Sequence, residues 1–202
     1  MFESIYNAIA KLSASWDKEK EEFSSKLTQI SDNYAGTLLQ EKELELRSAH
    51  QDKREQLIRR AKSRVDEAYQ DIKKQINKKF AYTTSRDAVP DINVLKSLKL
   101  TQKDVDVMVE QYRENPLALR IISEVCNEQG LSVIVPTLNA AYDNLEKIKE
   151  ISEVTIHNVM SGDELGAYLS LKSLKDMTDA SEEALTRIVI GDVDSDIIRL
   201  MQ

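Results

Sequence analysis

The sequence predicts an all-α protein, and three observations support this fold class. Residues 2–80 contain no proline and a single glycine, Gly36, so almost nothing in this stretch interrupts a helix. Apolar residues recur every three or four positions at both ends of the stretch. The whole chain of 202 residues has only 5 glycines, 3 prolines and 5% aromatic residues, which favours a few long helices over a β-rich fold.

The first predicted element is a long N-terminal coiled-coil helix or a helical hairpin over residues 1–80. One continuous helix over this range would be about 115 Å long, more than a compact domain of this size can hold, so it would project or pair with other chains. Glycine inside a helix costs about 1 kcal/mol relative to alanine. A break near Gly36, with Asn33 and Thr37 beside it, is therefore the alternative to a continuous helix.

A heptad repeat occupies the first part of this element. Nine large apolar residues are spaced by 3, 4, 3, 4, 7, 4, 3 and 4 positions, which is the pattern of a coiled coil and predicts an oligomer interface. An amphipathic helix packed on its own domain has the same spacing and is the alternative. The predicted interface residues are Phe2, Ile5, Ile9, Leu12, Trp16, Phe23, Leu27, Ile30 and Tyr34.

The second part of the element is polar and then basic. Residues 40–56 are almost wholly polar, so a helix there depends on charge pairs one turn apart. From Lys53 to Lys79 the sequence has ten Lys or Arg against four Asp or Glu. Such a helix could contact an acidic protein surface or a phosphate backbone. The candidate contact residues are Lys53, Arg54, Arg59, Arg60, Lys62, Arg64, Lys73 and Lys74.

Shorter helices follow, with a linker and short helix at 81–100 and a helical domain at 101–202. Thr101 with Asp104 resembles a capping box, and Asn115-Pro116 has the chemistry of a helix start. Gly130 and Gly162 mark helix ends. Residues 131–136 are the one strand-like run, interpreted as an apolar connector. The predicted helices cover residues 90–98, 101–113, 116–129, 137–160, 163–177, 181–190 and 192–202.

Residue types that carry catalysis or bind metals are sparse. Cys126 is the one cysteine, which excludes an intrachain disulfide and a multi-cysteine zinc site. His50 and His157 lack metal-ligating neighbours at the required spacing. The run from Asp192 resembles the start of a calcium loop, but Ile197 stands where glycine is needed. The sequence therefore predicts a protein that is not an enzyme and needs no cofactor or metal.

The same sequence predicts a soluble protein that is not secreted. No apolar run reaches the roughly 18 residues of a transmembrane helix, and the first twelve residues lack the pattern of a signal peptide. The bulky apolar face from Phe2 to Trp16 suggests an alternative, a membrane-touching adaptor or stalk. Only Lys11 precedes Lys18 on this helix, so attraction to anionic lipid is weak and packing against protein is favoured.

One segment resembles a known class of proteins. Residues 112–120, Tyr-Arg-Glu-Asn-Pro-Leu-Ala-Leu-Arg, are similar to a segment of virion assembly and structural proteins of tailed bacteriophages, some of them scaffold-like. The layout, a charged coiled coil before a small helical domain, is similar too. Many phage scaffolding proteins end in a basic helix, whereas this chain ends in Ile197-Ile-Arg-Leu-Met-Gln after an acidic run.

The resemblance implies a non-enzymatic phage structural or capsid-assembly protein. Such a protein would form a homo-oligomer, dock to other virion proteins and reside in the virion or the host cytoplasm. A nucleic-acid-binding protein that uses the basic stretch Lys53–Lys79 is the alternative.

Overall fold

The computed structural model describes residues 1–81 and 89–190, and the all-α prediction is confirmed. Two short strands pair antiparallel, with Val133 opposite Ile190 and Ile134 opposite Val189. The helix predicted over 192–202 and the acidic run within it lie outside the described residues. The elements are α1 (Glu3–Asn33), α2 (Gly36–Lys79), α3 (Ile92–Ser97), α4 (Gln102–Gln111), α5 (Pro116–Glu128), β1 (Val133–Ile134), α6 (Leu138–Ser161), α7 (Glu164–Ala184) and β2 (Val189–Ile190).

The N-terminal segment is a hairpin of two helices. α1 ends at Asn33, Tyr34 is extended with φ −127° and ψ 155°, and Gly36 has a φ of +65°. Glycine adopts a positive φ without the steric cost that other residues meet. α2 then returns along α1, since His50 lies 4.2 Å from the ring of Phe23. The hairpin alternative is thus confirmed and the continuous helix is wrong.

The described chain divides into two compact units, each built from separated stretches of sequence. Unit 1 contains Met1–Asp71 and Glu146–Asp179, and unit 2 contains the described parts of Ile72–Leu145 and Ala180–Gln202. The predicted division near residues 80 and 100 follows local breaks in the sequence. The units differ from it because α2, α6 and α7 each contribute to both, which depends on long-range packing.

Unit 1 is a bundle of four helical segments in which each segment contacts the next. After α2 has returned along α1, α6 runs antiparallel to α2. Near one end, the Arg54 guanidinium donates to the Met160 carbonyl at 3.2 and 3.3 Å. Further along α2, the Tyr69 hydroxyl bonds to Glu146. A later residue of α2 therefore meets an earlier residue of α6.

The last segment, α7, closes this ring of helices. Gly162, with φ +86°, ends α6 and allows a short turn. The Asn158 amide then donates to Ser170 Oγ at 2.6 Å, and Lys175 Nζ lies 3.8 Å from a Glu3 carboxylate oxygen on α1. Neighbouring segments are antiparallel throughout, as in up-and-down four-helix bundles with short loops.

The bundle continues through a point where the sequence predicts a break. Two helices, 163–177 and 181–190, are expected, but α7 extends unbroken from Glu164 to Ala184 and Val189–Ile190 form β2 instead of the end of a helix. The Thr178 hydroxyl donates to the Lys175 carbonyl at 2.8 Å, and Ser181 is buried. Bonding back to its own helix satisfies the hydroxyl of Thr178, so this polar residue does not end the helix.

Unit 2 packs its short helices around one apolar core. Asp91 caps α3, Thr101 and Asp104 form the predicted capping box of α4, and Asn115 caps α5 with Pro116 in the first turn. Each capping side chain accepts from backbone N–H groups that the helix leaves unpaired. The buried core residues are Leu95, Val105, Val109, Leu119, Ile122, Val125, Cys126 and Val133.

Residues 131–136 are tied to α5 by side-chain bonds. Ser123 Oγ donates to the Val133 carbonyl at 2.6 Å, and the side-chain amide oxygen Oδ1 of Asn127 accepts from the Val133 N–H at 3.3 Å. The connector predicted here thus includes a short strand, β1, that pairs with β2. The pairing depends on residues more than 50 positions away, so a local pattern gives no sign of it.

Candidate functional site

The predicted oligomer interface is divided between two environments. Its first five residues lie inside the bundle of unit 1, with exposed fractions between 0% and 5%. A second copy cannot contact these side chains unless the bundle opens, so this part of the predicted interface serves the chain's own core. The five residues are Phe2, Ile5, Ile9, Leu12 and Trp16.

The rest of the predicted interface lies in what we call the hairpin end, residues 24–49, and beside it. Phe23, Leu27 and Ile30 are half-buried, and Tyr34 is 39% exposed. Leu38 and Leu44 are exposed by 46% and 70%. All of residues 24–49 are described, and none of them is buried. This part of the hairpin therefore offers apolar side chains that the chain does not cover.

The hairpin end is uncovered because the other two helices of the bundle end before it. α6 meets α2 at Arg54, and the turn from α6 to α7 lies beside α1 at Asp17 and Lys20, which with Gly162 and Asp163 line a groove of about 330 Å³. Most burial of a helix face comes from packing by neighbouring helices. In the hairpin end, each helix has only the other helix of the hairpin beside it, whereas within the bundle α6 and α7 are present as well. The same apolar spacing on α1 therefore leaves its residues half-exposed in the hairpin end.

An aromatic cluster marks the boundary between covered and uncovered parts. His50 lies between two rings, 4.9 Å from Trp16 and 4.2 Å from Phe23, and its Nδ1 is 3.4 Å from Glu19 Oε1. The Trp16 indole N–H is buried with no hydrogen-bond partner among the described residues. The spacing of apolar residues gives no sign of this cluster. A turn at Gly36 does place position 50 opposite positions 16–23, and this could have indicated it.

Charge pairs support α2 in the hairpin end, as the polar sequence of residues 40–56 predicts. Lys42 Nζ is 2.7 Å from Glu45, and Arg47 is 3.9 Å from Glu43. The hydrogen bond and the negative charge of Glu45 raise the pKa of the Lys42 ammonium above its usual value. Both pairs lie on α2 and within single turns, so they stabilise this helix without joining it to α1.

The predicted basic residues do not form one uniform surface. The Arg54 guanidinium is occupied by the Met160 carbonyl, and Arg59 lies 3.6 Å from Glu55. Lys53, Arg60 and Arg64 are exposed at positions that a helix places on one side, while Lys62 is exposed on another.

The remaining two basic residues, Lys73 and Lys74, belong to unit 2. The Lys73 ammonium lies 5.7 Å from the centre of the Tyr142 ring, and Lys74 is exposed. The set of eight candidate residues is therefore split between the two units.

The groups capable of nucleophilic or metal chemistry belong to different units. Cys126 is fully buried in the core of unit 2, and this burial raises the pKa of its thiol. His157 is exposed on α6. Among the described residues, no three His, Cys, Asp or Glu side chains are grouped to hold a metal ion. No described helix is long and apolar enough to cross a membrane.

The segment that resembles phage proteins forms a helix junction in unit 2. Tyr112 ends α4, Asn115 accepts from the Ala118 N–H at 3.1 Å, and Arg120 lies 3.0 Å from Glu124. These contacts account for the residues as helix-start chemistry. Neither a protein-family model, nor a curated protein, nor a solved structure matches this chain.

Proposed function

We propose that this chain is a non-enzymatic structural or assembly protein of a tailed-phage particle, which acts by self-association and by docking to other virion proteins. The observation that carries the proposal is the hairpin end. It presents Tyr34 in the turn and Leu38 and Leu44 on α2 to solvent, where the hairpin has no third helix beside it. Exposed apolar groups of this kind are typical of surfaces that a partner covers.

The phage context rests on the resemblance of residues 112–120 and on the order of the parts. Its most direct test is the set of reading frames beside the gene. Coat or portal genes next to it would support the proposal, and a metabolic operon would contradict it.

The docking role is tested with the proteins that those neighbouring frames encode. Leu38→Asp combined with Leu44→Asp should weaken their binding, because both side chains are exposed and the substitutions leave the bundle core intact. Val107→Asp, at a side chain of unit 2 that is 67% exposed, is the matched control. Isothermal calorimetry with full-length proteins measures the affinity. Equal binding by all three forms would contradict docking through the hairpin end.

Self-association is tested by light scattering on the full chain over a range of concentrations. We expect the average mass to rise above that of one 23.0 kDa chain as the concentration increases. If the average mass stays that of one chain at protein concentrations up to about 100 μM, self-association is contradicted, since a Kd in that range already corresponds to a weak complex.

Nucleic-acid binding is a second candidate, favoured by one observation. Lys53, Arg60 and Arg64 lie on one side of α2, are exposed, and make no ion pair within the part of the chain that the structure describes. Phosphate contacts by three cations predict an affinity that falls with salt with a log–log slope of about −3. A fluorescence-anisotropy titration measures this slope. No binding at low salt would exclude the candidate.

The membrane-touching alternative would use the apolar face from Phe2 to Trp16 as its membrane-binding surface. The apolar face from Phe2 to Trp16 is buried inside unit 1, so membrane contact through this face requires the bundle to open.

A further inference from the structure

A second uncovered apolar surface lies on the outer side of α6 and α7 in unit 1. Val154, Leu165 and Leu169 are exposed by 59%, 68% and 54%. Val154 and Leu169 line one groove of about 500 Å³ between the two helices, together with Ile151. We call this surface the α6–α7 face. It lies well away from the hairpin end in sequence and uses different helices.

The bundle does not need these side chains for its own packing. α6 buries Ile148, Thr155 and Val159 on its inner side, and α7 buries Leu174 and Thr178. Leu165 and Leu169 are one turn apart and therefore point away from that inner side together. Three apolar groups at more than half exposure on adjacent helices form a patch of the kind that a partner can cover.

Four charged side chains lie beside the apolar centre of this face, on the side away from the α6–α7 turn. Lys147 and Glu150 lie on α6, and Lys172 and Asp176 lie on α7; all four are exposed. Within the described residues none of them is in a salt bridge. Other lysines of the same two helices are paired: Lys149 lies 3.5 Å from Asp66, and Lys175 lies 2.8 Å from Asp179.

The order of these four charges is self-complementary. On α6, the residues that follow Val154 toward the N-terminus are Glu150 and then Lys147. On α7, those that follow Leu169 toward the C-terminus are Lys172 and then Asp176. Because α6 and α7 are antiparallel, both runs proceed in the same direction along the bundle. The charge nearest the apolar centre is therefore negative on α6 (Glu150) and positive on α7 (Lys172). The next charge is positive on α6 (Lys147) and negative on α7 (Asp176).

We propose that a second copy of this chain docks on the α6–α7 face about a two-fold axis parallel to the helices. Rotation about such an axis places α7 of one copy over α6 of the other, antiparallel. Val154 then meets Leu169, Glu150 meets Lys172, and Lys147 meets Asp176, each pair occurring twice as in any isologous interface. This proposal rests on the self-association in the proposed function and assigns a surface to it.

The size of the face sets the strength of the contact. Fifteen residues of helix span about 22 Å, and two adjacent helices are about 20 Å wide. This footprint is smaller than the roughly 800 Å² per partner of a standard stable interface. The dimer is therefore weak and depends on concentration, which suits a subunit that assembles into a larger particle.

Analytical ultracentrifugation of the full chain tests the proposal through charge reversal. Lys172→Glu should weaken the dimer about tenfold or more, since it places like charges opposite each other twice. Adding Glu150→Lys to the same chain restores opposite charges at both symmetry-related pairs of residues 150 and 172. The Kd of the dimer should then return to within about threefold of the wild-type value. Failure of the double variant to recover would overturn the pairing.

Leu169→Glu tests the apolar centre, and Val107→Glu is its control in unit 2. The first should abolish dimerisation and the second should leave it unchanged, with circular dichroism to show that both are folded. Dimerisation that persists in Leu169→Glu but is lost in the Leu38→Asp, Leu44→Asp chain would overturn this surface and leave the proposed function standing. A wild type that stays monomeric at every concentration would overturn both.

Discussion

The N-terminal hairpin has two halves that differ in burial: the half inside the bundle of unit 1, which includes residues 2–16, and the half formed by residues 23–49. Residues 2–16 and residues 23–34 nevertheless both place large apolar groups at spacings of three and four. In the first half these groups are at most 5% exposed, whereas in the second half Tyr34 is 39% exposed. The difference follows from the neighbours, because α6 and α7 pack on the first half and end before the second.

This comparison shows that a heptad repeat specifies a contact face and leaves its partner open. The partner of residues 2–16 is the chain itself. For the hairpin end, the structure supplies one neighbouring helix and leaves the rest of the face to solvent or to a partner.

The largest expected difference between the two halves is in stability. Ile9→Ala should lower the free energy of unfolding by about 2–5 kcal/mol, because Ile9 is fully buried and its removal leaves a cavity. Leu44→Ala, at a side chain that is 70% exposed, should change it by no more than about 0.5 kcal/mol. Urea denaturation measures both. Equal losses would show that the hairpin end is as well packed as the bundle.

The turn that joins the two helices gives a smaller effect. Gly36→Ala should cost about 1–2 kcal/mol, because an alanine at φ +65° is strained, and no other atom lies within 4 Å of the added carbon. The loss should appear as faster amide exchange in residues 24–49, with little change in residues 2–16, when measured by hydrogen-exchange mass spectrometry. Thr37→Ala is the control. Uniform loss of protection over both halves would contradict independent opening of the hairpin end.

The aromatic cluster at the boundary should contribute less again. His50→Ala removes a ring that stacks on Trp16 and Phe23, and we expect a loss of about 1 kcal/mol with a red shift of the Trp16 emission. His50→Phe keeps the stacking and removes the contact with Glu19, so it should recover most of the stability. If both variants are equally destabilised, the polar contact matters more than the rings.

The smallest expected effect is at alkaline pH. Hydrogen bonding to Asp179 is the main cause that raises the pKa of Lys175, and bonding to Glu45 raises that of Lys42. A folded pKa above the unfolded value of about 10.4 means that the stabilisation is complete below this value and is lost as the pH rises through the folded pKa.

Lys175→Met should therefore reduce the alkaline loss of Tm more than Lys42→Met does. Lys175 lies beside Glu3 on another helix, whereas the Lys42 pair lies within one turn. Thermal unfolding between neutral pH and about pH 11 measures the two slopes against the wild type. Identical slopes for the two variants would contradict the expected difference between a lysine that contacts a second helix and one that is paired within its own turn.

Much of the helical structure follows from local chemistry and was predicted on that basis. The capping box of Thr101 and Asp104, the helix start at Asn115-Pro116 and the helix end at Gly162 depend on residues within a few positions of each other. The hairpin at Gly36 was one of two alternatives, because glycine there permits a turn without requiring one.

The errors share a different cause. A helix break was predicted between residues 177 and 181, but the buried Thr178 bonds its hydroxyl to the Lys175 carbonyl and α7 stays continuous. The spacing from Phe2 to Trp16 predicted an oligomer interface, and the structure buries these residues inside the chain's own bundle. An apolar stripe packs equally well on another copy or on distant parts of its own chain, and the spacing is the same in both cases.

Local sequence patterns were enough to predict the fold class, the ends of most helices, the apolar face of α1 and the basic stretch of α2. These features depend on backbone propensity, capping and spacing, which act over a few residues. Which apolar faces are covered depends on how distant helices pack, and this could be read only from the three-dimensional structure. Burial depends on helices such as α6 and α7, which lie more than 100 residues away, and their packing uses up residues 2–16 while leaving the hairpin end and the α6–α7 face exposed.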